Sequence, residues 1–317
     1  METIMRQVSP KLAPWLIDVH AQIAQMNRNG YKPTAIGARE ALATTVRAMI
    51  TQSPDIAWVN DELIYGPDYA VPVRIYHPAP VERRPVIVFY HGGGGMAGSV
   101  WIYDPICRKL AAATGHIVVS VEYRLAPENP YPAGIIDAHT AARGVWQALD
   151  ARSLPYAKSL SLAGDSAGGA LASTVSARAQ FDPAFNIANQ ILIYPCLDYT
   201  LRQPSVVENG ENYFLTLERC GWYFDNYFQH GEDRYLASPL FQEFTNALPR
   251  SLIVSAGFDP LRDEALEYVS RLKETGVPHQ HVHLDDMVHA FLFMESLVKE
   301  ECDSLYSTIA DFLNSPS

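Results

Sequence analysis

The chain has 317 residues, 48% of them hydrophobic and 19% charged, enough to bury the core of one large α/β domain with an insertion, or of two domains. Its 35 acidic and 24 basic side chains give a formal charge of −11 with no basic run, which argues against nucleic acid or an anionic membrane as a partner. Met1 to Pro10 carries no apolar signal-peptide core, and no uninterrupted apolar stretch nears the ~18 residues of a membrane span. Cys107, Cys196, Cys220 and Cys302 are scattered without a Cys-x-x-Cys spacing, so free thiols in a reducing, cytoplasmic compartment are expected.

Leu12, Leu16, Val19, Ile23 and Met26 recur at helical spacing up to Asn29-Gly30, and a second helix is predicted from Ala35 to Ile50, ending at Ser53-Pro54. Strand-like runs follow at Ala57 to Tyr65, Val71 to His77 and Val86 to Tyr90, the first two reading as an antiparallel start. Strands then alternate with helices: strands at Ile117 to Glu122, Ser159 to Ala163, Gln190 to Tyr194, Ser251 to Ser255 and Gln280 to Leu284. The helices fall at Pro132 to Leu149, after Ser166, at Arg262 to Thr275, and on the stripe Val298, Cys302, Leu305, Ile309, Phe312. Such alternation implies a mostly parallel sheet flanked by helices, with ligands at the carboxyl ends of its strands.

Between Pro195 and about Arg250 the alternation breaks into an aromatic-rich insertion. Tyr213, Leu217, Phe224 and Tyr227 can share one helical face, whereas Trp222 and Tyr223 lie off it and need another partner. The expected division is residues 1–50 as N-terminal helices of a cap, 51–196 and 236–317 as the core, and 197–235 as the cap insertion. The cap would wall an apolar pocket.

Gly164-Asp165-Ser166-Ala167-Gly168 joins an apolar run to a small-residue helix. In a Gly-x-Ser-x-Gly turn the serine backbone is strained and the flanking glycines avoid collisions with the adjoining strand and helix, while the hydroxyl is lifted above the sheet. A serine needs a base to remove its proton, and the base needs an orienting acid. In this type of fold the order along the chain is Ser, acid, His. Asp259 follows the Ser251 to Ser255 strand, and His289 follows the last strand by a short loop. Asp285 and Asp286 would stay solvated, either of them a secondary acid, and Asp263 and Glu264 would favour a helix dipole without a functional role. His279, His281 and His283 alternate on one strand face, but no Cys or carboxylate partner has metal-ligand spacing, so a polar edge strand is expected and no metal.

Val86 to Tyr90 leads into His91-Gly92-Gly93-Gly94-Gly95. Glycines after a buried strand suggest backbone amides facing a ligand, and the Lys and Ser/Thr of a P-loop are absent. With the Ala167 amide, this loop would supply an oxyanion hole.

Together these segments resemble the hormone-sensitive-lipase-like family of carboxylesterases, in its bacterial branch. The matching pieces are His91-Gly92-Gly93-Gly94, Tyr123-Arg124-Leu125-Ala126-Pro127-Glu128, Gly164 to Gly168, Asp259-Pro260-Leu261-Arg262-Asp263-Glu264 and His289-Ala290-Phe291, in the family's order. The resemblance implies an α/β-hydrolase fold with a helical cap, Ser166 as nucleophile, His289 as base and Asp259 as acid. It implies Gly93, Gly94 and Ala167 as oxyanion donors, and His91, Tyr123 and Arg124 as supports of the glycine loop. It also implies no cofactor and a homodimer through the last sheet strand. Two departures stand out: Gly95 replaces a bulky residue, enlarging or loosening the pocket, and Asp286-Met287 stands where a glycine is common. Gly95, Tyr213, Phe214, Trp222 and Tyr223 are the candidate pocket residues.

The expected activity is hydrolysis of short- to medium-chain neutral carboxylic esters through an acyl-enzyme. An amidase or peptidase on the same scaffold, or a ligand-binding receptor that has lost the chemistry, are the alternatives.

Overall fold

A computed structural model describes residues 6–50 and 52–315; the outermost parts of the expected ranges, at 1–5, 51 and 316–317, lie outside the described residues. Two helices, α1 (Ala13–Arg28) and α2 (Ala35–Met49), precede the sheet. Then come β1 (Trp58–Tyr65), β2 (Ala70–His77), β3 (Arg84–Tyr90), α3 (Asp104–Thr114), β4 (Ile117–Val121), α4 (Ala133–Ala151), β5 (Tyr156–Asp165), α5 (Ala167–Ala179) and β6 (Asn189–Ile193). The insertion carries α6 (Pro204–Glu208), α7 (Leu217–Tyr227) and α8 (Arg234–Ala237). β7 (Arg250–Phe258), α9 (Arg262–Glu274), β8 (His279–Val288) and α10 (Lys299–Asn314) complete the chain.

The eight strands form one sheet in the order β1-β2-β4-β3-β5-β6-β7-β8. β1–β2 and β2–β4 pair antiparallel and every later pair is parallel. The central strands read as continuous apolar runs because both faces are covered. Val86 and Val88 of β3 enter one core with α4, α5 and α9, while Ile87 and Phe89 enter the other with α3 and α10. A third, smaller core joins the insertion to the sheet's carboxyl end through Met96, Cys196, Tyr199, Phe224 and Tyr227.

Two elements differ from expectation. α3 is an addition: Asp104 sits in its first turn, and Gly115 ends it in the left-handed region at φ 69°. β8 runs on to Val288, so Asp285 and Asp286 are strand residues and His289 follows the strand with no intervening loop.

Candidate active site

Ser166 stands between β5 and α5 with φ 52° and ψ −119°, a conformation that typically costs a residue about 1–3 kcal/mol and survives only where its surroundings impose it. Its N–H donates to Ile193 O at 2.9 Å and its carbonyl accepts from Cys196 N–H at 3.0 Å. A Cβ on Gly168 would lie 1.9 Å from Tyr90 O, and one on Gly164 would lie 2.3 Å from the Gly168 carbonyl. Only glycine lets α5 start this close to β3.

β7 and β8 deliver the next two groups. Asp259 follows β7 and is fully buried; its Oδ1 accepts the Leu261 N–H at 2.8 Å. Its Oδ2 lies 2.7 Å from His289 Nδ1, and His289 Nε2 lies 2.9 Å from Ser166 Oγ. The Tyr194 ring meets the imidazole edge-on at 5.0 Å. Asp285 contacts His283 instead, at 3.2 Å, with its own side chain 87% exposed. Asp259 is therefore the carboxylate on His289.

β3 feeds the glycine loop. Gly93, Gly94 and Gly95 have φ of 115°, 66° and 69°, a path open to glycine, and the Gly93 carbonyl accepts the Met96 and Ala97 N–H groups. The amides of Gly93, Gly94 and Ala167 donate to no acceptor among the described residues, and all three residues line the same cavity as Ser166 and His289.

His91 lies beneath this loop, fully buried, and burial pushes its imidazole down to about 4. Neutral at ordinary pH, it donates Nδ1–H to Gly92 O at 2.8 Å, and the Tyr123 hydroxyl donates to His91 O at 2.6 Å. The two rings stack at 4.4 Å. Arg124 departs from expectation: it grips the buried Asp137 of α4 through its backbone N–H and guanidinium, and so anchors the Tyr123 segment rather than the glycine loop.

Two groups absent from the sequence-based set hold the loop's first amide. Gly92 N–H reaches both Asp165 Oδ1 at 2.8 Å and Tyr103 Oη at 2.9 Å, and the Tyr103 hydroxyl donates to Asp165 Oδ2 at 3.0 Å. Desolvation pushes the Asp165 carboxyl up to about 7, against the lowering effect of these hydrogen bonds. From α2, Arg39 donates to Met96 O and Ala126 O and pairs with Glu128.

The cavity over Ser166 has a volume of about 510 Å³ and is walled by α1, α2 and α7, with Phe214, Trp222 and Tyr223 in its lining. Tyr223 lies directly on Gly94, where a Cβ would come within 2.5 Å of its ring. Tyr213 does not line the cavity. It precedes α7, and its ring packs on Phe258 at 4.8 Å. Gly95 lines the cavity without enlarging it: a Cβ there would sit 3.1 Å from Tyr227, whose ring takes up the space.

Glu264 stands in the first turn of α9, as expected; it is fully buried, accepts the Leu197 N–H at 2.6 Å, and is raised well above an ordinary carboxyl by desolvation. It ties the start of α9 to the segment after β6. On β8, His281 and His283 both contact Ser255 Oγ, at 2.8 and 2.7 Å, and His279 contacts Val277 O.

A family model described as the alpha/beta hydrolase fold matches residues 87–293, a span holding Ser166, Asp259 and His289. The esterase LipI of Mycobacterium tuberculosis is 35% identical over 242 residues, 74% of this chain and 75% of that protein. The gibberellin receptor GID1C of Arabidopsis thaliana is 33% identical over 249 residues, 76% of this chain and 72% of that one. A hyperthermophilic esterase from the archaeon Pyrobaculum calidifontis superposes with a TM-score of 0.85 at 34% identity, covering 96% of this chain and 97% of that structure. The chain thus belongs to the α/β-hydrolase family, in its hormone-sensitive-lipase-like carboxylesterase branch.

Proposed function

We propose that this chain hydrolyses short- to medium-chain neutral carboxylic esters through a serine acyl-enzyme. The observation that carries the reading is the unbroken contact from Asp259 Oδ2 to His289 Nδ1 and from His289 Nε2 to Ser166 Oγ, at 2.7 and 2.9 Å. His289 takes the Ser166 proton as the oxygen attacks the ester carbonyl, and Asp259 holds the imidazole in the tautomer that can accept it. The tetrahedral oxyanion would lie against the amides of Gly93, Gly94 and Ala167, each such donor worth on the order of 10² to 10³ in turnover. His289 then protonates the leaving alcohol. Water, deprotonated by the same imidazole, attacks the acyl-enzyme and releases the acid.

In this reading residues 1–50 and 197–235 form the cap and the remainder the catalytic core, which agrees with α1, α2 and α7 walling the cavity. Four buried free thiols suit a reducing, cytoplasmic setting, and among the described residues no helix is long and apolar enough to cross a membrane. β8 is one of the sheet's two edge strands, the edge through which a homodimer would extend the sheet; light scattering measures that assembly.

Ser166→Ala is expected to lower turnover of p-nitrophenyl butyrate by about 10⁴- to 10⁶-fold, with circular dichroism unchanged. Retained turnover overturns the reading. A receptor-like relative makes a second check worthwhile: an organophosphonate should add covalently to Ser166, a mass shift that a binding protein without chemistry would not give.

A further inference from the structure

Arg219 is the one lysine or arginine among the side chains lining the cavity; the other acidic and imidazole groups in the wall are His20, Asp165, Glu218 and His289. It sits on α7 one turn before Tyr223, so both project from the same helix face. Tyr223 in turn covers Gly94. The guanidinium lies over the Trp222 and Tyr223 rings, 5.4 and 5.9 Å from their centroids, which restrains it without neutralising it. No ion pair forms between Arg219 and any carboxylate of the described residues, Glu218 beside it included. Glu218 is itself exposed, whereas Arg219 is half-buried. A cation is thus held 5.9 Å from the centre of the ring that covers the glycine loop.

We propose that Arg219 makes this end of the cavity an anion subsite, selecting esters that carry a carboxylate remote from the bond to be cut, such as monoesters of dicarboxylic acids. The inference rests on the esterase reading and departs from it in one respect, the charge of the preferred ester. A guanidinium offers paired donors in the geometry of a carboxylate, and a half-buried one stacked on aromatic rings has already given up part of its hydration and freedom. A neutral chain of the same length would leave that cation facing an apolar group. The remote carboxylate takes no part in the bond changes, so its contribution appears in selectivity between substrates.

The test uses two matched pairs, followed by acid release in a pH-stat. Monoethyl adipate against ethyl hexanoate places the charge on the acyl side, and 6-acetoxyhexanoate against hexyl acetate places it on the alcohol side. In one pair, Arg219→Gln should lower the charged-to-neutral ratio of kcat/KM about tenfold, roughly the 1.4 kcal/mol of one charge-assisted contact. Arg219→Lys should keep part of the preference, and 0.5 M salt should erode it in the wild type. Ratios that are indifferent to residue 219 in both pairs overturn the subsite while leaving the esterase reading standing. An equal fall of both members of a pair also overturns it, since Arg219 would then only hold α7 in place. Failure of the wild type to cleave ethyl hexanoate and hexyl acetate strikes the esterase reading itself.

Discussion

The turn around Ser166 and the helix α7 face each other across one cavity, yet they are held in different ways. Around Ser166 the backbone touches backbone: Gly168 lies against Tyr90 O, Gly164 against Gly168, and Gly93 against Ala97 O, with no room for a single methyl group. On α7 the contacts are made by side-chain rings. Phe224 meets Tyr199 edge-on at 5.2 Å, Tyr223 covers Gly94, and nothing lies within 4 Å of a Cβ built on Gly221. Backbone contacts tolerate no change of size, because neither partner can rotate away; ring contacts can be remade by rotamer shifts. In the proposed reading the chemistry then sits in the rigid half of the cavity and substrate choice in the adaptable half.

The sharpest way to break this contrast is Gly168→Ala. The added methyl would have to displace α5 or β3, and loss of several kcal/mol of stability is expected, with little soluble protein and no esterase activity. A folded, active Gly168→Ala protein, judged by thermal melting and turnover, would mean that the turn around Ser166 is no more rigid than α7.

Asp165→Asn tests the electrostatics of the rigid half. The folded-state pKa of Asp165, about 7, lies above its unfolded value, so the residue contributes stability below pH ~4 that is lost as pH rises through about 7. Above pH 7 its charge is buried, held chiefly by the Tyr103 hydroxyl and Gly92 N–H. The asparagine variant should lose this slope and melt a few degrees higher than the wild type at pH 8. Its kcat should fall about tenfold to a hundredfold, because the amide cannot accept hydrogen bonds at both positions and the glycine loop is less firmly registered. Melting curves from pH 5 to 8 and kcat at pH 8 check both halves of this expectation.

The same contrast governs how much was legible from the sequence. Ser166, Asp259 and His289 could be found because the fold delivers each from a strand end, and strand ends are marked by local pattern: β5 ends just before Ser166, β7 just before Asp259, β8 just before His289. Asp165 was visible only as part of a motif, since its partners Gly92 and Tyr103 lie 73 and 62 residues away along the chain. Helix-dipole reasoning gives Glu264 its place at the start of a helix but takes no account of the Leu197 segment folding over it. The signals for α3 were present, with Asp104-Pro105 at its start and Gly115 at its end, but the glycine loop next to it obscured them. Spacing alone puts Tyr213 on the α7 stripe. Thr216 caps the helix by accepting the Arg219 N–H, which leaves Tyr213 outside it, and this serine/threonine cap signal was available in the sequence.

In the adaptable half, Tyr223→Leu keeps an apolar side chain over Gly94 but removes the ring. KM for p-nitrophenyl butyrate should rise severalfold, up to about tenfold, the size of one lost aromatic contact. kcat should change less, since Ser166, His289 and Asp259 are fixed from the sheet. A collapse of kcat with KM constant would place Tyr223 in the chemistry itself.

The smallest effect is expected at Gly221→Ala, and it has the opposite sign. Gly221 lies inside α7, where glycine is a poor helix former because the unfolded chain regains so much freedom there. A methyl group at this position meets open space. The substitution should stabilise the helix by about 0.5–1 kcal/mol, a gain of a few degrees in melting temperature at most. If α7 must flex for substrate to enter, the same change should slow turnover of bulky esters more than of p-nitrophenyl acetate, because a stiffer helix opens less often. Equal rates for both esters, with the melting temperature raised, would mean that the cavity admits substrate without movement of α7. Adaptability in that half would then lie in the rotamers of Trp222 and Tyr223 alone.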